Sequence, residues 1–150
     1  MKNNDRYYMQ LALKEAQKAF NKDEVPIGAI ITKEDQVIAK AHNLRESLQD
    51  PTAHAEVLVI RKASEVINSW RLIDCSLYVT IEPCSMCAGT LVQSRIDNLI
   101  YGATDPKGGA AGTIFNIVND RRLNHQLNVK SGILEEQCSQ IMKNFFKQLR

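Results

Sequence analysis

Apolar residues recur every three or four positions in four stretches of the chain, which is the spacing of one face of an α-helix. These stretches are 6–20, 53–69, 84–94 and 134–149. Asp5 and Thr52 precede the first two, and each is expected to act as an N-cap, because its side-chain oxygen can accept a hydrogen bond from a free amide of the first turn. Pro83 precedes the third, at a position where a missing N–H costs nothing.

Short runs of consecutive apolar and β-branched residues predict four strands, at 28–32, 37–41, 77–81 and 98–101. The polar run 33–36 predicts a hairpin turn between the first two, and a glycine-rich loop at 102–112 follows the fourth. Helices and strands therefore alternate, which predicts an α/β domain built around one sheet. The early hairpin makes that sheet mixed, since its two strands must run antiparallel.

Size and composition narrow the class of protein. The chain has 150 residues, 44% of them hydrophobic and 24% charged, with no evident linker or repeat, so one folded domain over 1–150 is expected. The net charge of +2 permits an anionic partner without requiring one. Charges are scattered through the N-terminal segment, and no apolar run is long enough for a bilayer, which predicts a cytoplasmic protein without a membrane partner.

Two cysteines at the start of the third helix form the first candidate motif, Pro83-Cys84-Ser85-Met86-Cys87. Cys84 and Cys87 are three apart, so on a helix they lie on the same side, within reach of one ion. The positive end of the helix dipole also favours thiolates there. Taken alone, the pair is equally consistent with a redox pair or with chance spacing. Cys75 and Cys138 lack matched partners and are expected to be inert thiols.

His54 and Glu56, at the start of the second helix, form the other motif. They are two apart and do not share a helix face, so they converge only if the helix directs its first turn at the site. Both helices would then point at one place above the sheet edge, where α/β folds bind ligands. One imidazole and two thiolates select zinc, and three protein ligands leave the fourth position to water, as in catalytic zinc sites.

Glu56 supplies what such a zinc site still needs. Zinc lowers the pKa of bound water from about 15.7 to about 7, and a carboxylate can move the released proton to a substrate nitrogen and to the departing ammonia. A lone glutamate here would otherwise be a solvated residue favoured by the helix dipole. The combination His-x-Glu with Pro-Cys-x-x-Cys is the signature of zinc-dependent nucleobase deaminases, a class that includes tRNA adenosine deaminases.

The stretch 77–112, LYVTIEPCSMCAGTLVQSRIDNLIYGATDPKGGAAG, closely resembles bacterial tRNA-specific adenosine deaminases, as do 25–29 and 41–43. The resemblance implies a three-layer α/β/α fold with a central mixed five-stranded sheet of the cytidine deaminase type, and a homodimer with one Zn²⁺ per subunit. It implies conversion of the wobble adenosine, position 34 of an arginine tRNA anticodon, to inosine. On the matching positions His54, Cys84 and Cys87 would bind zinc, whose hydroxide attacks C6, with Glu56 as proton shuttle.

The same resemblance implies contacts with the anticodon stem-loop. Asn43 would hydrogen-bond the flipped base, although an asparagine at a strand end is also a common turn residue. The other predicted substrate-binding residues are Val25, Pro26, Ala55, Asp105, Lys107, Asn124 and Phe145. The aromatic and basic end of the chain, Phe145 to Arg150, can stack on a base and neutralise a phosphate, with one of its two phenylalanines expected in the core.

Two other functions are compatible with these residues. A deaminase of a free base or nucleoside, such as guanine or cytosine, would use the same zinc ligands and the same proton shuttle. A zinc-stabilised RNA-binding subunit without catalytic activity would need His54, Cys84 and Cys87 but not Glu56. The substrate that is turned over distinguishes a free-base deaminase from a tRNA deaminase. The effect of removing Glu56 distinguishes a subunit without catalytic activity from both.

Overall fold

The computed structural model describes residues 4–149. In this part of the chain five helices and five strands form. Their bounds, in chain order, are α1 Asp5–Asn21, β1 Gly28–Lys33, β2 Gln36–His42, α2 Arg45–Leu48, α3 Ala55–Ile67, β3 Cys75–Ile81, α4 Ser85–Ser94, β4 Asn98–Ala103, β5 Asn128–Lys130 and α5 Glu135–Gln148. Arg150, which belongs to the predicted basic end, lies outside the described residues.

The five strands form one mixed sheet in the order β2-β1-β3-β4-β5. β1 pairs antiparallel with both β2 and β3, whereas β4 runs parallel to β3 and to β5. Strand β3 is therefore central and buried along most of its length. Its parallel pairing with β4 places the carboxyl ends of both strands at the same edge of the sheet, and the candidate motif begins directly after β3.

Helices cover both faces of the sheet, because successive strand residues alternate between them. Leu77 and Val79 belong to the core shared with α3 and α4, whereas Tyr78, between them, packs in the core shared with α1 and α5. Burying each large aliphatic side chain contributes about 1.5–3 kcal/mol, so the two cores hold the layers together. The prediction of a three-layer α/β/α fold with a mixed five-stranded sheet is confirmed.

Two predicted caps are wrong. Asn4 occupies the N-cap of α1, without a side-chain cap bond, and Asp5 is its first helical residue. The Asp5 carboxylate instead accepts a hydrogen bond from the Tyr78 hydroxyl at 2.8 Å. Helix α3 begins at Ala55, with His54 at its N-cap, and Thr52 bonds through its amide and hydroxyl to the Asp50 carboxylate. In both places a tertiary or turn partner for the side chain outweighs the local preference for capping.

Other differences from the prediction are small. Pro83 precedes the N-cap Cys84 and is not itself the first helical residue. The predicted hairpin turn is confirmed, with Glu34 and Asp35 at positive φ, the backbone that matches the twist of the flanking strands. Elements α2 and β5 are only four and three residues long, too short to give a periodic pattern. Among the described residues no helix is both long enough and apolar enough to cross a membrane.

Candidate metal and catalytic site

Two helix N-termini meet at the carboxyl edge of the sheet and bring together the predicted metal ligands. His54 is the N-cap of α3, Cys84 is the N-cap of α4, and Cys87 lies in the first turn of α4. One ligand atom from each lies within 4.8 Å of the others. Nδ1 of His54 is 3.6 Å from Sγ of Cys84 and 3.5 Å from Sγ of Cys87.

These separations fit one tetrahedral zinc ion. A nitrogen about 2.05 Å and a sulfur about 2.3 Å from a tetrahedral zinc are about 3.6 Å apart. The imidazole–thiol distances of 3.5 and 3.6 Å therefore already have the spacing of a coordination shell. The donor set, one imidazole and two thiols, is also the kind that zinc prefers. The residues present fit the metal that the sequence predicts.

The pKa values of the two thiols are shifted in opposite directions. A hydrogen bond with Cys87, together with one to His54, lowers the pKa of Cys84 to about 4 against the opposing effect of burial. The same bond with Cys84, with burial, raises the pKa of Cys87. The bond to Cys84 raises the pKa of His54. A divalent cation held between the sulfurs would stabilise the thiolate form of both and favour a neutral imidazole.

Glu56 lies in the first turn of α3 and is 3% exposed. Within residues 4–149 its Oε1 is the one buried side-chain oxygen or nitrogen without a hydrogen-bond partner. Leaving such an atom unsatisfied costs about 1–3 kcal/mol, so the fold retains a group that stability alone does not favour. Burial, with a smaller contribution from Cys84, raises the pKa of Glu56 to about 7. A carboxyl group with a pKa near neutrality is suited to accepting and donating protons.

Asn43 lies at the end of β2 in a buried position beside this site. Its Nδ2 donates to the Val25 carbonyl at 3.3 Å and its Oδ1 accepts from the Arg45 amide at 3.1 Å. The Leu44 amide donates to the Ala53 carbonyl at 3.0 Å, which ties this strand end to the segment that leads into His54. Asn43 thus serves as a turn residue, and its amide keeps one N–H and one lone pair for another partner.

The other predicted substrate-binding residues differ in solvent exposure. Pro26 and Ala55 are buried and Val25 is half-buried, whereas Lys107 and Asn124 are exposed. The Asp105 carboxylate is engaged within its own loop, where it accepts a hydrogen bond from the Lys107 amide at 3.0 Å. His125, beside Asn124, bonds through Nε2 to the Ile96 carbonyl at 2.6 Å and so anchors that segment to the fold.

Phe145, a predicted RNA contact, is buried. Phe145 is 5% exposed, with its ring packed edge-on against Phe20 and Phe146 at 5.8 and 5.5 Å between centroids. Adjacent residues on a helix point in different directions, so only one of the two phenylalanines can face the core. Phe146 is 44% exposed. It lines a groove of about 1140 Å³ between α5 and the loop at 104–107, together with Lys107, Lys143 and Lys147.

Comparison with known proteins finds the deaminase family that the sequence motifs predict. The family of MafB19-like deaminases matches residues 3–150. The tRNA-specific adenosine deaminase of Bacillus subtilis is 51% identical over 146 residues, which cover 97% of this chain and 91% of the relative. A solved structure of a tRNA:A34 deaminase is 44% identical, with a TM-score of 0.87, covering 90% of this chain and 98% of that one.

The chain belongs to the tRNA-specific adenosine deaminase family. It is therefore a hydrolytic deaminase by family, and the cluster of His54, Cys84 and Cys87 is its candidate metal site. The guanine deaminase of Bacillus subtilis is also similar in structure, at 36% identity and a TM-score of 0.66, with 75% of this chain and 71% of that chain covered. That likeness is shorter and weaker than the likeness to the tRNA:A34 deaminase.

Two buried glutamates flank the site and were not predicted. Glu24 is 0% exposed and accepts hydrogen bonds from the amides of Glu46 and Ser47 and from the Ser47 hydroxyl. Glu82, 2% exposed, receives its bonds from the loop at 105–113. In the sequence each is a charge next to an apolar residue and within two positions of a proline, and a carboxylate buried there requires donors from elsewhere in the chain.

The two remaining cysteines are buried thiols, as predicted. Cys75 and Cys138 are both free and fully buried. Burial raises the pKa of Cys75, and it raises that of Cys138 to about 12. Such a buried thiol is a poor nucleophile at neutral pH, and among the described residues neither belongs to a group of three ligand side chains close enough to share one ion. The described thiols that can bind a metal are therefore those of the cluster.

Proposed function

We propose that this protein converts adenosine to inosine at the wobble position, 34, of an arginine tRNA anticodon. It would act in the cytoplasm as a homodimer, with residues 1–150 as a single deaminase domain holding one Zn²⁺ per subunit. The observation that carries the proposal is the three-ligand cluster with a buried carboxyl beside it whose Oε1 has no partner. A purely structural zinc site needs four ligands and has no use for that carboxyl.

The chemistry is hydrolysis at C6 of adenine, in which water replaces the exocyclic amine and ammonia leaves. His54, Cys84 and Cys87 would hold the zinc ion, which when bound makes water acidic enough to supply hydroxide at neutral pH. Glu56 would accept one proton from that water and transfer it to a ring nitrogen; it would then take the second proton, from the hydroxyl group added at C6, and deliver it to the amine, which leaves as ammonia. Its burial and its pKa of about 7 suit both directions of transfer.

The base-binding residues of this proposal are Asn43, Val25, Pro26 and Ala55. Asn43 retains one N–H and one lone pair, the two groups needed to hydrogen-bond the edge of a purine. Its amide is already oriented by Val25 and by the Arg45 amide, so little conformational entropy is lost when a base binds. An anticodon loop is single-stranded, which lowers the cost of turning the base out of its stack.

The RNA-binding surface would be the groove beside α5. Lys107, Lys143 and Lys147 can neutralise phosphates there, and Phe146 replaces Phe145 as the ring on which a base can stack. Asp105 would act by shaping the loop that carries Lys107, because its carboxylate is bonded to that loop. Asn124 would contact RNA from the exposed segment that His125 anchors.

The homodimer can be tested without substrate. Ile114 and Phe115 are 52% and 56% exposed on the segment that follows Gly112. Adjacent large apolar side chains on a surface are the kind of feature that a subunit contact buries. Sedimentation equilibrium of the full chain should give twice the monomer mass, and a monomer at micromolar concentration would contradict the proposal.

The activity test uses zinc-loaded protein and a synthetic arginine tRNA anticodon stem-loop with adenosine at position 34. After digestion to nucleosides, chromatography with mass detection should show inosine, and the matched variant Glu56→Gln should produce none. A stem-loop with its adenosine at a neighbouring loop position serves as the specificity control. Faster turnover of free guanine or cytosine than of the stem-loop would contradict the proposal and favour the free-base alternative that the guanine deaminase likeness raises.

A further inference from the structure

Glu82 connects β3 to the metal-binding segment and is bonded to a distant loop. It is 2% exposed and directly precedes Pro83 and Cys84. Its carboxylate accepts hydrogen bonds from the amides of Asp105, Ala111 and Thr113 at 3.0 to 3.1 Å, and from the Thr113 hydroxyl. One side chain thus collects four donors from a segment about 25 residues further along the chain.

The loop at 105–113 is wrapped closely around this carboxylate. A Cβ atom at Gly109 would overlap the Glu82 carboxyl carbon, so the backbone can approach only because that residue is glycine. The Ala110 amide also donates to the Pro83 carbonyl at 2.8 Å, and the Glu82 amide donates to Ala103 at 2.9 Å. The loop is therefore joined to the segment that carries Cys84 at Pro83 as well as at Glu82, and Glu82 is itself bonded to the end of β4.

The outer surface of this loop faces solvent. Pro106 and Lys107 are exposed, and the same part of the loop forms one wall of the groove whose other wall is α5. The position of Lys107 relative to the metal ligands therefore depends on how the loop is attached. The loop is bonded to the metal-binding segment by the Pro83–Ala110 backbone bond and the four bonds to Glu82, and its Ala110 and Ala111 also pack in the core.

We propose that Glu82 is a positioning residue that holds the loop at 105–113 in register with the metal site and so sets the affinity for RNA. This inference rests on the proposed function for the identity of the ligand. Glu82 does not touch the reacting atoms, and its effect should reach substrate binding through the loop. We expect its loss to raise KM for RNA and to leave the metal site assembled.

Glutamine cannot replace this side chain, although it has the same shape. In one amide orientation the NH₂ group faces the Asp105 amide, and in the other it faces the amides of Ala111 and Thr113. Either orientation sets N–H against N–H and removes at least one hydrogen bond. Glu82→Gln therefore weakens the attachment of the loop with little change in packing, and Thr113→Val removes only the hydroxyl donor as a milder version.

The experiment compares wild type, Glu82→Gln, Thr113→Val and, as matched control, Glu65→Gln at an exposed position on α3. Steady-state kinetics on the anticodon stem-loop are combined with zinc analysis and with hydrogen exchange of the loop amides. Glu82→Gln should raise KM at least about tenfold with a smaller change in kcat. Zinc content should stay at one per subunit, and the amides of Ala111 and Thr113 should lose protection. Thr113→Val should show the same changes at lower amplitude.

Unchanged KM and unchanged amide protection in Glu82→Gln would overturn the inference. So would loss of zinc with kcat reduced and KM preserved, because Glu82 would then support the metal and not the loop. If Glu82→Gln does not fold, Thr113→Val decides alone, and a wild-type KM in that variant counts against the inference. Absence of turnover in wild type would instead refute the proposed function, while hydrogen exchange would still report whether Glu82 holds the loop.

Discussion

Replacing Glu24 with glutamine tests quantitatively how strongly the segment that follows Asn43 is held to the fold. The Glu24 carboxylate accepts hydrogen bonds from the amides of Glu46 and Ser47 and from the Ser47 hydroxyl. Glutamine can satisfy the donors at one oxygen but places N–H against N–H at the other. A hydrogen bond to a charged group contributes about 1.5–3 kcal/mol, so one lost bond should cost about 2 kcal/mol of the free energy of unfolding.

A loss of that size is measurable as a melting temperature. For a domain of this length, 1 kcal/mol corresponds to about 2–4 °C, so Glu24→Gln should melt about 4–8 °C below wild type at pH 7. Calorimetry of the zinc-loaded proteins provides the value, with Glu65→Gln as an exposed control that should melt within about 1 °C of wild type. Loosening of α2 should also raise KM for the stem-loop, since Glu24 holds Glu46 and Ser47, which lie three and four residues after Asn43.

The pH dependence of the same difference tests its electrostatic origin. Burial alone would raise the pKa of Glu24, but the hydrogen bonds from Ser47 and from the Glu46 amide outweigh it, and the pKa is lowered. A carboxyl group with a lowered folded pKa contributes stability above its unfolded pKa of about 4.3 and loses it as the pH falls further. The melting difference should therefore be full at pH 7 and shrink below about pH 4.3. Equal melting at pH 7, or a difference that widens in acid, would refute this reasoning.

Three further predictions concern the metal site and the groove. Glu56→Gln should abolish turnover yet retain one zinc per subunit by elemental analysis, because the carboxyl is not among the ligands; residual activity above about 1% would argue against its role as proton shuttle. Cys87→Ala should lose zinc and melt below wild type, since metal binding stabilises only the folded state; full zinc occupancy would contradict the ligand assignment. Phe145→Ala should destabilise the fold by about 3–5 kcal/mol in urea titrations, whereas Phe146→Ala should leave stability nearly unchanged and weaken RNA binding. The reverse order would contradict the placement of the two rings.

The chemistry of the site could be predicted from the sequence because its residues are close together along the chain. His54 and Glu56 open one helix, and Cys84 and Cys87 open another, so the requirement that both helices point at one place was enough to assemble the site. Strand β3, directly before Cys84, was equally visible as an apolar run. Short-range spacing and the preference of zinc for nitrogen and sulfur were sufficient for this part.

The segments around the site are held by long-range contacts, which the spacing of residues along the chain does not reveal. Glu24 is bonded to α2 and Glu82 to the loop at 105–113, each more than twenty residues away, and nothing in the local pattern names these partners. For a similar reason, the sequence does not decide which of Phe145 and Phe146 faces the core. Which ring faces inward is decided by Phe20 on α1, a helix at the other end of the chain. The short strand β5 is held by pairing with β4, not by its own sequence.

X-ray absorption at the zinc edge is the most direct test of the three-ligand zinc site. It is measured on protein whose metal content has been determined in parallel. We expect one zinc per subunit, with one nitrogen at about 2.0–2.1 Å, two sulfurs at about 2.3 Å and one light atom in the fourth position. In Cys87→Ala the second sulfur should disappear from the shell. A shell with four protein ligands, or zinc absent from active enzyme, would contradict a catalytic zinc held by His54, Cys84 and Cys87.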